Sequence, residues 1–118
     1  MHRLVRLQLM KFYYVYVLKS LRDINWIYVG YTEDLIKRIK SHNQFENIST
    51  KKFAPFSLIH YEAYRHKADA KRRELYLKTT KGKTTLRTML REFFKSHPVV
   101  LERDTIPDDL PAEALLHG

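Results

Sequence analysis

The chain of 118 residues contains no cysteine. That absence excludes disulfides, iron–sulfur clusters, cysteine zinc sites and a thiol nucleophile. It is neutral on compartment, and a cytoplasmic location is the expectation. No run approaches the ~18 apolar residues of a membrane span. Met1 to Met10 mixes charge with short apolar pieces. It lacks the continuous apolar core of a secretion signal and the serines of a transit peptide. Residues 1–11 therefore read as a short extension. There is no internal repeat and no low-complexity tract.

Acidic residues are scarce over most of the length. Residues 1–96 hold 21 Lys and Arg against 8 Asp and Glu, a net charge of +13, whereas residues 97–118 hold one base and five acids. At 44% hydrophobic and 30% charged, the composition is that of an ordinary globular domain. It excludes a wholly disordered chain, and a chain of this length buries roughly two thirds of its unfolded surface. A strongly basic body points to a polyanionic partner, most commonly nucleic acid. A basic membrane-surface helix fits less well, because the charge is spread along the chain.

Phe12–Leu18 and Trp26–Tyr31 are short, aromatic and β-branched, and read as two strands of a hairpin. A helix is expected from an N-cap at Thr32 to about Asn43, with Leu35, Ile36 and Ile39 as its apolar face. Residues 44–55 read as a basic loop and Phe56–Tyr64 as a third strand. Lys67 to Lys78 holds helix formers without a breaker. Gly82 is expected to interrupt, and Thr84–Lys95 to form a last helix before His97-Pro98. The order β-β-α-β-α-α predicts an α+β domain over residues 12–96, a small three-stranded, mostly antiparallel sheet flanked by helices. Residues 97–118 are expected to be a loosely held acidic tail.

A turn centred on Arg22 would set Tyr16 opposite Tyr28 and Tyr14 opposite Gly30, leaving an open floor beside two phenols. Tyrosines are common in strands, so structure alone could account for the pair. Arg38 and His42 are four apart on the first helix and share a flank. The plain alternative is a snorkelling arginine beside a partly exposed histidine. Ala70, Glu74 and Leu77 fall on one line of the next helix. Glu74 there is either one end of an ordinary intrahelical ion pair or a ligand for a hard cation.

Tyr14-Val15-Tyr16, an eleven-residue gap and Tyr28-Val29-Gly30 form a paired motif. It continues through Thr32, Leu35, Arg38, His42 and Asn43, then Ala70 to Lys78 around Glu74, and the Thr80-Lys81-Gly82 turn. This series resembles the GIY-YIG nuclease signature, in the small stand-alone bacterial form related to the nuclease domain of the bacterial excinuclease. The resemblance implies a Mg²⁺- or Mn²⁺-dependent DNA endonuclease. It implies Tyr16 and Tyr28 as the motif tyrosines, one of them the general base, and Arg38 as the arginine that stabilises the phosphoryl transition state. Glu74 then corresponds to the metal ligand, and His42 to the residue that assists the base or orients the water. The sequence departs from the pattern at Tyr14, where the family has Gly, and at Tyr31, where some members have Lys. It also lacks an Asn after residue 48.

A tyrosine with a pKa of about 10 is only about one part in a thousand ionised at pH 7, so a working base needs about three units of help. A guanidinium and a metal-bound water are the expected sources. Lys51, Lys52, Arg65, Lys67, Lys71, Arg72, Lys81 and Lys83 are expected to line a DNA-binding surface, with RNA not excluded and the protein a monomer or weak dimer. Two other readings stand beside the enzyme. One is a nucleic-acid-binding module of the same fold with weak or no turnover. The other is a protein-interaction component that docks through its acidic tail.

Overall fold

A computed structural model describes residues 10–44, 46 and 50–97. The tail and most of the N-terminal extension lie outside them. The elements are β1 (Tyr13–Ser20), β2 (Ile27–Thr32), α1 (Leu35–Asn43), a 3₁₀ turn (Lys51–Phe53), β3 (Phe56–Tyr64), α2 (Lys67–Leu77), α3 (Thr80–Met89) and α4 (Arg91–Ser96). The three strands form one antiparallel sheet in the order β2-β1-β3. The fold is the expected α+β arrangement, and β3 has the expected bounds.

The sheet separates two apolar clusters. Val15, Val17, Ile27 and Val29 face α2 and α3, where Ala70, Leu77 and Leu86 meet them. Tyr16, Leu18, Trp26 and Tyr28 point the other way, onto Ala54 and Phe56 and the α1 residues Leu35 and Ile39. Alternation along a strand produces this division, since successive side chains take opposite faces. Glu62 ties α2 to β3. Its carboxylate accepts from Arg73 Nε (2.9 Å) and Nη2 (3.2 Å), from the Tyr64 hydroxyl (2.5 Å) and from His60 Nε2 (2.8 Å).

Several local expectations are corrected. The hairpin register pairs Tyr16 with Gly30 and Leu18 with Tyr28, not Tyr16 with Tyr28. The Ser20 hydroxyl accepts from the amides of Arg22 and Asp23 and moves the turn by a residue. The cap of α1 is Asp34, whose carboxylate accepts from Lys37 N, while Thr32 closes β2. Ile36 is exposed, so the apolar face of α1 is Leu35 and Ile39 alone. Gly82 does not break a helix but lies in the first turn of α3, where Thr79 caps by accepting from its amide. A Cβ at Gly82 would lie 1.9 Å from the Tyr76 carbonyl oxygen. The last helical stretch is split at Leu90 into α3 and α4.

Candidate active site

The corrected register places a glycine directly across from the first motif tyrosine. A Cβ at Gly30 would lie 2.4 Å from both Cζ and Oη of Tyr16 and 2.7 Å from Tyr28 Cε2. The Tyr16 ring therefore lies across Gly30. The open floor expected beside the phenols is filled by Tyr16 itself. Tyr28, displaced by two residues along the same face, has its ring centroid 5.9 Å from that of Tyr16.

His42 reaches this pair from the last turn of α1. It is fully buried, not half exposed, and both ring nitrogens are used. Nε2 is 2.9 Å from Tyr16 Oη and Nδ1 is 2.8 Å from Thr50 Oγ1. A neutral imidazole has one donor and one acceptor nitrogen, so one of these hydroxyls donates to the ring and the other accepts from it. Asn43, the next residue, fixes the end of α1 to β3. Its Oδ1 accepts from Phe56 N at 2.6 Å.

Electrostatics bring Arg38 and Glu74 into the same neighbourhood. Burial pushes the Tyr16 hydroxyl well above its ordinary pKa, and the nearby Tyr28 and Glu74 charges push the same way. Arg38 pulls it down, and loses. The expectation of a phenol brought toward neutral pH is therefore not met in the free protein. Arg38 is exposed and solvent-screened, whereas Tyr16 is wholly buried, so desolvation wins. The same two forces act on His42. Burial, helped by Arg38, lowers it to about 4, which keeps the ring neutral at pH 7.

Ala70, Glu74 and Leu77 all turn inward from α2. The Glu74 carboxylate is nearly buried and each oxygen holds a lysine. Lys71 Nζ lies 3.1 Å from Oε1, and Lys78 Nζ lies 3.2 Å from Oε2. Lys71 also sits 4.7 Å above the Tyr31 ring. No cluster of three or more His, Asp or Glu occurs among the described residues. One carboxylate still suits Mg²⁺ or Mn²⁺, because such ions are commonly held by one or two carboxylates with substrate phosphates and waters. The donor set fits a cation held mainly in the presence of substrate.

Of the expected nucleic-acid contacts, Lys51, Lys52, Arg65, Lys67, Lys71, Arg72 and Lys81 are exposed. Lys67 and Lys71 flank the site, near Glu33 and Glu74 respectively. Arg72 is paired with Asp69 at 3.0 Å. Lys83 is corrected: it is buried on α3, because its side of the helix faces the body. Two residues escaped sequence reasoning. Thr50 lies in a loop with no local signal. Lys78 stood in view at i+4 from Glu74 but read only as an ordinary ion-pair partner.

A family model described as the GIY-YIG catalytic domain matches residues 12–87. The chain is 39% identical over 66 residues to the UPF0213 protein CPE1444 of Clostridium perfringens, covering 55% of this chain and 69% of that one. It is 40% identical over 67 residues to the UPF0213 protein YazA of Bacillus subtilis, covering 56% and 66%. It is 38% identical over 68 residues to the UPF0213 protein SH2523 of Staphylococcus haemolyticus, covering 57% and 80%. No solved structure matches. The matched span takes in both motif tyrosines, Arg38, His42 and Glu74, and the chain belongs to the GIY-YIG catalytic domain family.

Proposed function

We propose that the chain is a divalent-metal-dependent endonuclease that hydrolyses phosphodiester bonds in DNA by attack of an activated water. The observation that carries this reading is the buried Tyr16–His42 hydrogen bond, with Tyr28, Arg38 and Glu74 acting on the same phenol. Tyr16 is 0% exposed and Tyr28 is 9% exposed. Tyr28 is thus the outer member and meets the water. Tyr16 takes the proton onward to His42 Nε2. The raised pKa of Tyr16 suits a relay, in which no phenolate persists. Arrival of the phosphate adds negative charge, which favours the imidazolium and lifts His42 from about 4.

Arg38 supplies planar donors for the non-bridging phosphate oxygens, a geometry that guanidinium matches well. Glu74 would hold Mg²⁺ or Mn²⁺, and the cation would supply neutralisation of the charge that develops at phosphorus. Lys71 and Lys78, which hold the carboxylate in the free protein, would have to release it for that role.

One observation favours the second reading, a binding module without turnover. Both oxygens of Glu74 are already held by lysines. Labelled branched, duplex and single-stranded oligonucleotides incubated with Mn²⁺ or Mg²⁺ distinguish the two. Metal-dependent cleavage by the wild type, lost in Glu74→Ala with DNA binding nearly intact, is the expected result. Binding without cleavage of any member would establish the module. Cleavage by Glu74→Ala at the wild-type rate would remove Glu74 from the mechanism.

A further inference from the structure

The sheet face that carries Tyr16 continues beyond α1 as an open shelf. Tyr61 on β3 is the cross-strand partner of Tyr16, and Ala63 is the partner of Tyr14. All four residues lie on one face. Tyr61 is 52% exposed, Ala63 is exposed and Tyr14 is half-buried. The Tyr14 and Tyr61 rings pair at 6.2 Å between centroids, tilted by 59°. One step further out, Arg65 Cζ lies 5.5 Å above the Phe12 ring, which continues the same register. The role of the catalytic residues explains none of this.

Tyr14 and Tyr61 stand on neighbouring strands, offset by two residues of register, and their ring centroids are 6.2 Å apart. An extended single strand, pulled out to about twice the ~3.4 Å stacked spacing of a duplex, matches that separation. Exposed aromatic rings bind unpaired bases because every base has a π-face, and a duplex hides those faces within its own stack. Cations stand at both ends of the shelf, Arg65 at the outer end and Arg38 near Tyr16. They suit a backbone that runs along the rings toward the active site. A buried apolar role is excluded at Tyr61 by its exposure.

We propose that Tyr14 and Tyr61 form a stacking platform for unpaired nucleotides next to the scissile phosphate, so that the substrate strand is single-stranded there. The proposal rests on the nuclease reading for its location beside the reacting centre, but its binding chemistry does not need turnover. It is therefore tested without metal. A fluorescein-labelled 15-mer oligo(dT) and a blunt 15-bp duplex are titrated with the full-length chain in EDTA at fixed low salt. The single Tyr61→Ala and Tyr14→Ala variants, the double variant and the conservative Tyr61→Phe are compared with wild type.

Stacking predicts that each alanine weakens single-strand binding about tenfold. Duplex affinity stays within twofold, and Tyr61→Phe binds like wild type. A 2-aminopurine placed in the single strand is quenched by wild type and less so by the double variant. The unchanged duplex arm shows that the variants are folded. Equal loss on both nucleic acids, unchanged single-strand affinity in the double variant, or no single-strand binding by wild type would each overturn the platform. Tyrosine-dependent single-strand binding by a wild type that cuts nothing would leave the platform standing and sink the nuclease reading instead.

Discussion

At Tyr16 two effects oppose each other, and their relative size decides what the residue can do. Arg38 favours the phenolate, while complete burial disfavours it more strongly. In the proposed relay the hydroxyl enters protonated and works through its neighbour. His42, neutral with a pKa near 4, contributes stability with a definite pH signature. Its unfolded pKa of about 6.5 is higher than the folded one, so the unfolded chain binds the extra proton. The stabilisation is fully present above about pH 6.5 and is lost as pH falls toward 4. It amounts to at most about 3 kcal/mol. Urea unfolding midpoints of wild type and His42→Gln, followed from pH 7 to 4, should converge as the pH falls. A constant gap would show that His42 does not titrate with folding in this range. Glu62, held down to about 2 against burial by His60, Arg73 and Tyr64, acts in a lower window. Its contribution is present above about 4.5 and fades as pH drops through 2.

Gly30 is a residue-scale test of the site's packing. No glycine among the described residues has a positive φ, so the need for glycine here is steric. A methyl group would meet Tyr16 Cζ and Oη at 2.4 Å. Gly30→Ala is expected to cost about 1–3 kcal/mol in chemical denaturation, and to displace the Tyr16 hydroxyl from His42. The tyrosine absorbance titration should shift accordingly. A stability within about 0.5 kcal/mol of wild type, with the titration unchanged, would contradict the packing account.

At the scale of elements, strands were more legible than joints. The aromatic and β-branched composition of β3 marks both of its ends. The same chemistry located β1 and β2 but not their register. The Lys19–Asn25 connection has no glycine or proline to fix a turn type, and a serine hydroxyl sets it instead. Gly82 misled for a physical reason. Glycine disfavours helix interiors by propensity, but here it allows α3 to start against the Tyr76 carbonyl. The break at Leu90 carries neither glycine nor proline, and nothing in the local sequence announces it.

The joint between α2 and α3 gives an element-scale prediction. Thr79 Oγ1 accepts from Gly82 N at 3.0 Å, and its hydroxyl donates to the Tyr76 carbonyl at 2.6 Å. Thr79→Ala is expected to lower stability by about 1 kcal/mol. Gly82→Ala is expected to cost more, since its methyl meets backbone that cannot rotate away. Thermal melts that rank these two in the opposite order would contradict the packing of α3 on α2. The proposed catalytic set could be named residue by residue because motif spacing carries it. The place of Thr50 could not, because the contact that gives it meaning is with His42, eight positions earlier.

For the whole molecule, the proposed nucleic-acid substrate would meet the basic body largely through its phosphates. If about six of the exposed cations engage phosphate, log affinity should fall against log salt with a slope near −5. Fluorescence anisotropy over a range of NaCl concentrations reads this directly. A flat titration would remove the electrostatic account. Lys83, buried on α3, should not belong to the set. No helix among the described residues is long and apolar enough to cross a membrane.

The central claim is that Tyr28 and the buried Tyr16 pass a proton from water to a neutral histidine, beside a phosphate that Arg38 contacts and whose charge a cation on Glu74 would neutralise. The most direct measurement is the single-turnover cleavage rate of Tyr16→Phe on the oligonucleotide that wild type cuts best, with its dissociation constant measured in parallel. Removing that one oxygen should lower the rate by about 10²-fold or more and leave binding within twofold. A Tyr16→Phe protein that cuts within twofold of the wild-type rate would contradict the account.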